Sequence, residues 1–141
     1  MRRPAPMATD SCNKAMSRSN GKNRLLDFDE ERVRSALASS WSPQTAIQWR
    51  PDNPALGQCN VTALLVNELF GGRILKTRQQ ESVHYYNEID GRRYDFTGIQ
   101  FNSSIEYADE QSSRVEVERG VTRDEMNTLR NAFRTFYSWQ R

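Results

Sequence analysis

A thiol, an imidazole and a carboxylate can supply a nucleophile, its base and the group that aims the base. The chain has one histidine, His84, and two cysteines, Cys12 and Cys59. Cys59 opens the stretch "GQCNVTALLVNELFGG", residues 57–72, which reads as a helix ended by Gly71-Gly72. Free cysteine is among the most buried residue types, so a cysteine within an apolar helix is ordinary packing. In the first turn the surroundings differ. Unpaired backbone N–H groups and the positive end of the helix dipole favour negative sulfur there. The same N–H groups can receive an oxyanion when the sulfur attacks a carbonyl. On a helical wheel Val61, Ala63, Leu65, Val66, Leu69 and Phe70 form one broad apolar arc that includes Cys59, with Asn60, Asn67 and Glu68 opposite. Packing residue and reagent are both open readings at this point.

Any Cys–His chemistry must use His84, in "VHYYNEI". A lone histidine in a strand is commonly a half-buried structural residue, but the surrounding hairpin adds information. Asp90-Gly91 is a strong two-residue turn signal. With that turn, Ile89 opposes Arg92, Tyr86 opposes Asp95 and His84 opposes Thr97. His84 and Asp95 then lie on one face as diagonal neighbours, about 7–8 Å apart between backbones. Val83, Tyr85 and Ile89 share the other face with Tyr94 and Phe96, as a core face requires. A one-residue slip would put Asp95 on the apolar face, so pattern and register support each other.

The elements that must position these groups can be read along the chain. Asp29 is placed to cap a helix over "EERVRSALASSW", with Phe28 and Val33 as a hydrophobic staple. Pro43, Pro51 and Pro54 keep the next segment irregular. After the Cys59 helix, "RILKT" reads as a short strand and the hairpin follows. Residues 98–120 carry no clear pattern. A last helix starts at Thr122, where "TRDE" is a capping box, and places Met126, Leu129, Phe133, Phe136 and Tyr137 on one stripe. Two helices, strands and a helix predict an α+β fold with helices packed on a small antiparallel sheet.

At 141 residues the chain is long enough for one domain with a real core. Of its 20 Lys/Arg and 18 Asp/Glu, six and one fall in residues 1–24, so residues 25–141 carry 14 and 17, a net charge of −3. The basic total belongs to residues 1–24, which have little to bury and read as a disordered tail before a single domain at 25–141. The domain has no basic stripe, RNA-binding aromatic motif or zinc-finger spacing, and nucleic acid is not expected as a partner. No apolar run approaches the roughly 18 residues needed to span a membrane, and no apolar block follows the basic start as in a secretory signal. Two cysteines make no disulfide framework and suit a reducing cytoplasm. No cofactor or metal is expected. Cys59, His84 and Asp95 fall short of four zinc ligands, no C-x-x-C is present, and "FGGR" lacks the context of a phosphate loop.

A cysteine opening a helix, a histidine in an aromatic-rich strand and an aspartate on the next strand, "GQC…VHYYNEI…YDFT", resembles the transglutaminase-like branch of papain-like cysteine enzymes. Over residues 37 to about 101, "LASSWSPQTAIQW", "NPALGQCNVTALLVNELFGGRILKT" and "HYYNEIDGRRYDFTGIQF" resemble the YunG-like family of small bacterial proteins. The first resemblance implies a papain-like or transglutaminase-like core with Cys59 as nucleophile, His84 as general base and then acid, and Asp95 as orienter. It implies a small-molecule or peptide acyl substrate, handled through an acyl-thioester, with hydrolysis and acyl transfer both open. Gln58 is a candidate oxyanion donor beside the Cys59 N–H. Trp41 and Trp49 are candidates to wall the cleft, with plain core packing as the competing reading. Gln100 and Thr97 are candidates for supporting hydrogen bonds. The rival function is a non-catalytic ligand-binding or scaffold module of the same fold, in which Cys59 only packs.

Overall fold

A computed structural model describes residues 26–139. Residues 1–24, with the expected tail and Cys12, lie outside the described residues. Asp29 begins the first helix, α1 (Glu30–Ser40), by accepting the Arg32 N–H at 3.2 Å. Val33, Ala36 and Leu37 are its fully buried stripe. Phe28, ahead of the cap, meets the ring of Phe70 edge-on at 5.2 Å.

Helix α2 (Cys59–Phe70) lies at the centre of the fold. Its buried surface is wider than the single arc read from the wheel, because Thr62 and Leu64 are buried as well. Val61, Leu65, Leu69 and Phe70 pack with Val33, Leu37, Leu129, Phe133 and Tyr137. Ala63 and Leu64 pack on a second cluster with Ile74, Tyr85 and Val117. A helix covered from two sides has no single solvent face to reveal by periodicity. Gly71 and Gly72 turn the chain out of α2 with φ of 78° and 82°. At Gly72 a side chain would also collide with the Glu88 carbonyl.

Strands β1 (Arg73–Gln79), β2 (Ser82–Ile89) and β3 (Arg92–Tyr94) follow. The β2–β3 register is the expected one, with Ile89 opposite Arg92, Glu88 opposite Arg93 and Asn87 opposite Tyr94. Strand β1 extends beyond "RILKT" and pairs antiparallel with β2, setting Thr77 opposite His84. The unpatterned segment holds a 3₁₀ turn (Gly98–Gln100), strand β4 (Glu110–Gln111) and helix α3 (Arg114–Glu118). β4 pairs with β1, giving an antiparallel sheet of order β3-β2-β1-β4. In helix α4 (Arg123–Trp139) the capping box is complete: Thr122 Oγ1 accepts from the Glu125 N–H, and Glu125 Oε1 accepts from the Thr122 N–H, both at 3.0 Å. The described fold is α+β, with four helices and a small antiparallel sheet. Among the described residues no helix is long and apolar enough to cross a membrane.

The irregular run from 101 to 109 crosses the His84 face of the sheet and is held by side chains. Thr77 Oγ1 donates to the Glu106 carbonyl at 2.8 Å and accepts from the Ala108 N–H at 2.9 Å. Tyr86 Oη donates to Asp109 Oδ1 and accepts from the Asp109 N–H. The expected alternation along β2 is therefore lost, and His84 and Tyr86 are each only 1% exposed.

Candidate active site

His84 projects from β2 and Asp95 from the chain just beyond β3. The diagonal set by the Asp90-Gly91 turn brings His84 Nε2 to 2.8 Å from Asp95 Oδ2. Both side chains are covered, at 1% and 5% exposure. The imidazole stacks on Tyr86, with centroids 5.8 Å apart and planes at 27°, and meets Phe101 edge-on at 5.0 Å. Its Nδ1 is buried and makes no well-formed hydrogen bond. Cys59 is the other side chain that favours the charged form of the ring. Burial disfavours the charged imidazole, but the hydrogen bonds and charges of Asp95 and Cys59 outweigh it and raise the His84 pKa to about 9. At neutral pH the ring is a cation.

Cys59 is half-buried and is the accessible member of the group. Its Sγ lies 3.4 Å from Asn60 Oδ1, and Asn60 Nδ2 donates to the Val117 carbonyl at 3.2 Å. Helix α2 also differs from the other three. Asp29, Ser113 and Thr122 cap α1, α3 and α4 with side-chain oxygens, whereas Gln58, at the same position of α2, makes no capping bond. The first-turn N–H groups around Cys59 thus face no side-chain acceptor from their own cap.

The remaining candidates hold the scaffold. Gln58 is fully buried, and its amide accepts from Thr45 Oγ1 at 2.8 Å and donates to the Ser42 carbonyl at 3.4 Å, which fastens the preceding loop. Trp41 lies in the core with its indole N–H on Thr62 Oγ1 at 2.9 Å, not on an open wall. Trp49 is half-buried against the same core cluster. Gln100 ties the two halves of the site together. Its Oε1 accepts from the Gly57 N–H at 3.1 Å, its Nε2 donates to the Thr97 carbonyl at 3.0 Å, and its own carbonyl accepts from Asn53 at 3.1 Å. Thr97 is buried, and its hydroxyl has no hydrogen-bond partner.

Sequence reasoning missed Asn60 and Tyr107. The Tyr107 hydroxyl donates to Asp95 Oδ2 at 2.8 Å, on the same oxygen that His84 engages. Nothing in "SSIEYADEQSS" ties residue 107 to residue 95, whereas Asn60, next to the thiol, was open to inspection. Among the described residues no group of three acidic, histidine or cysteine side chains is arranged to hold a metal ion. A polar recess of about 100 Å³, lined by Thr45, Gly57, Asn60, Gly120 and Glu125, adjoins the first turn of α2. A larger groove of about 430 Å³ lies between α2, α3 and α4, and none of the three candidate groups lines it.

These observations define a small α+β protein with a cysteine at a helix start beside a buried His–Asp pair. Residues 29–138 match the family described as YunG protein, and the chain belongs to that family. It is 45% identical over 103 residues to the "Uncharacterized protein YunG" of Bacillus subtilis (strain 168), covering 73% of this chain and 90% of the relative. No solved structure matches it.

Proposed function

We propose that the protein is a thiol enzyme with a papain-like, transglutaminase-type arrangement, acting on an amide or ester carbonyl. The observation that carries this reading is the imidazole held by Asp95 on one nitrogen, with Cys59 near enough to favour its charged form. The Cys59 sulfur attacks the carbonyl carbon, and the first-turn N–H groups of α2 receive the oxyanion. The His84 imidazolium gives its proton to the departing nitrogen or oxygen, leaving a thioester and a neutral ring. Water or an amine then attacks the thioester while His84 takes its proton, and collapse releases the acyl product and restores the thiolate–imidazolium pair. Asp95 holds the ring in the tautomer and orientation that both proton transfers need. The burial of His84 and Asp95 favours a second reading, a ligand-binding module in which Cys59 packs.

Modification separates the two readings. In a Cys12→Ser background, Cys59 alkylation should remain appreciable near pH 6 and fall at least tenfold in His84→Ala. An enzyme should also label with one or more of a panel of acyl probes, and Cys59→Ala should abolish that labelling. Slow alkylation that ignores His84 until the protein unfolds would discard the enzyme in favour of the binding module.

A further inference from the structure

We propose that Tyr107 is a positioning residue for His84: its hydroxyl shares Asp95 Oδ2 with the imidazole and fixes how that carboxylate holds the ring. This inference rests on the reading of His84 as general base. Oδ2 accepts two hydrogen bonds of 2.8 Å, while Oδ1 of the same carboxylate is buried and accepts none. The load on one oxygen keeps the carboxylate from turning and draws off part of the charge that the ring would otherwise meet alone.

Tyr107 is not needed at Asp95 merely to tether its own segment. Thr77 already binds the residues on either side of it, Glu106 and Ala108. Asp109 is bound by Tyr86 and, at 2.9 and 2.6 Å, by the Arg93 guanidinium. The Tyr107 ring stands edge-on to Tyr86 at 4.9 Å, and Arg93 lies 4.3 Å from its centroid. A phenylalanine could make both ring contacts, so the hydroxyl is free for Asp95. Burial, reinforced by the Asp95 hydrogen bond and charge, pushes the Tyr107 pKa well above its usual value, so it stays a donor throughout the working range. Asp95 and Cys59 are the titratable groups acting directly on the imidazole, beside the Tyr86 and Phe101 rings. Tyr107, Arg93 and Asp109 stand one layer further out.

Because His84 is the chain's one histidine, its ring C–H signal in NMR reports this site alone. Tyr107→Phe should leave Oδ2 a stronger acceptor and move the His84 titration midpoint up by about half a unit, a fraction of the worth of one charge-assisted hydrogen bond. The shift should vanish when the substitution is made in Asp95→Asn. Replacing residue 107 with 3-fluorotyrosine, a stronger donor of nearly the same shape, should move the midpoint down, and it serves should Tyr107→Phe fail to fold. A folded variant whose midpoint stays put, or moves against these signs, overturns the positioning role. Cys59 alkylation measured on the same samples keeps the two ideas apart. Insensitivity to His84→Ala refutes the enzyme, whereas retained sensitivity with an unmoved midpoint refutes only Tyr107.

Discussion

His84 carries a proton that folding holds in place. Its pKa is raised from 6.5 to about 9 despite burial, because Asp95 and Cys59 favour the charged ring. The sign follows from linkage. The folded state binds this proton more tightly than the unfolded chain, so its contribution is fully present below about pH 6.5 and is lost as pH rises through about 9. The full effect amounts to up to about 3 kcal/mol. Urea unfolding at pH 6, 7.5 and 9 should show wild type losing stability across that window relative to Asp95→Asn, in which the fall should be much shallower. Parallel slopes would mean that Asp95 does not hold the proton. Gly98 bears on the same carboxylate, since a Cβ there would sit 2.8 Å from Asp95 Oδ2 and 3.2 Å from Cγ. That oxygen is already fixed by His84 and Tyr107 and has little room to retreat. Gly98→Ala should therefore cut His84-dependent alkylation of Cys59 at least tenfold while helicity changes little, and unaltered alkylation would show that the carboxylate can shift freely.

At the scale of elements, what could be read from the sequence depended on how local the forces were. The β2–β3 register was readable because Asp90-Gly91 and a period of two specify it within about ten residues. The α4 capping box was equally local. The hairpin register alone sufficed to place His84 beside Asp95. Helix α2 was read too narrowly because it packs on two clusters, one of them completed by Val117 from far along the chain. The run from 101 to 109 was not readable, since its order comes from Thr77, Tyr86 and Arg93 and not from its own pattern. With it went Tyr107, and with Tyr107 the second bond to Asp95. Strand β4, two residues long, has partners only once β1 is formed. Local physics thus placed the candidate His–Asp pair, and long-range contacts decided how deeply it is covered.

Across the whole molecule, the first and last described helices close around α2. Arg32 donates to the Tyr137 carbonyl at 2.7 Å and lies 4.0 Å from the centroid of its ring, and Tyr137 Oη donates to the Asp27 carbonyl at 2.6 Å. Phe133 is fully buried between them, 6.3 Å from the Phe70 ring and 5.1 Å from that of Tyr137. Phe70 ends α2, about 17 Å along the helix from Cys59 at 1.5 Å per residue. Cys59 and the aromatic cluster around Phe70 thus share one element but occupy opposite ends of it. Phe133→Ala should cost about 3–5 kcal/mol, measured as a lower denaturant midpoint with an unchanged slope. In the fraction that remains folded, Cys59 should still depend on His84, because the groups acting on the imidazole lie in the hairpin, the 101–109 run and the first turn of α2. If alkylation of folded Phe133→Ala no longer responds to His84, the site is held by the helical core as a whole and the local account of its geometry fails.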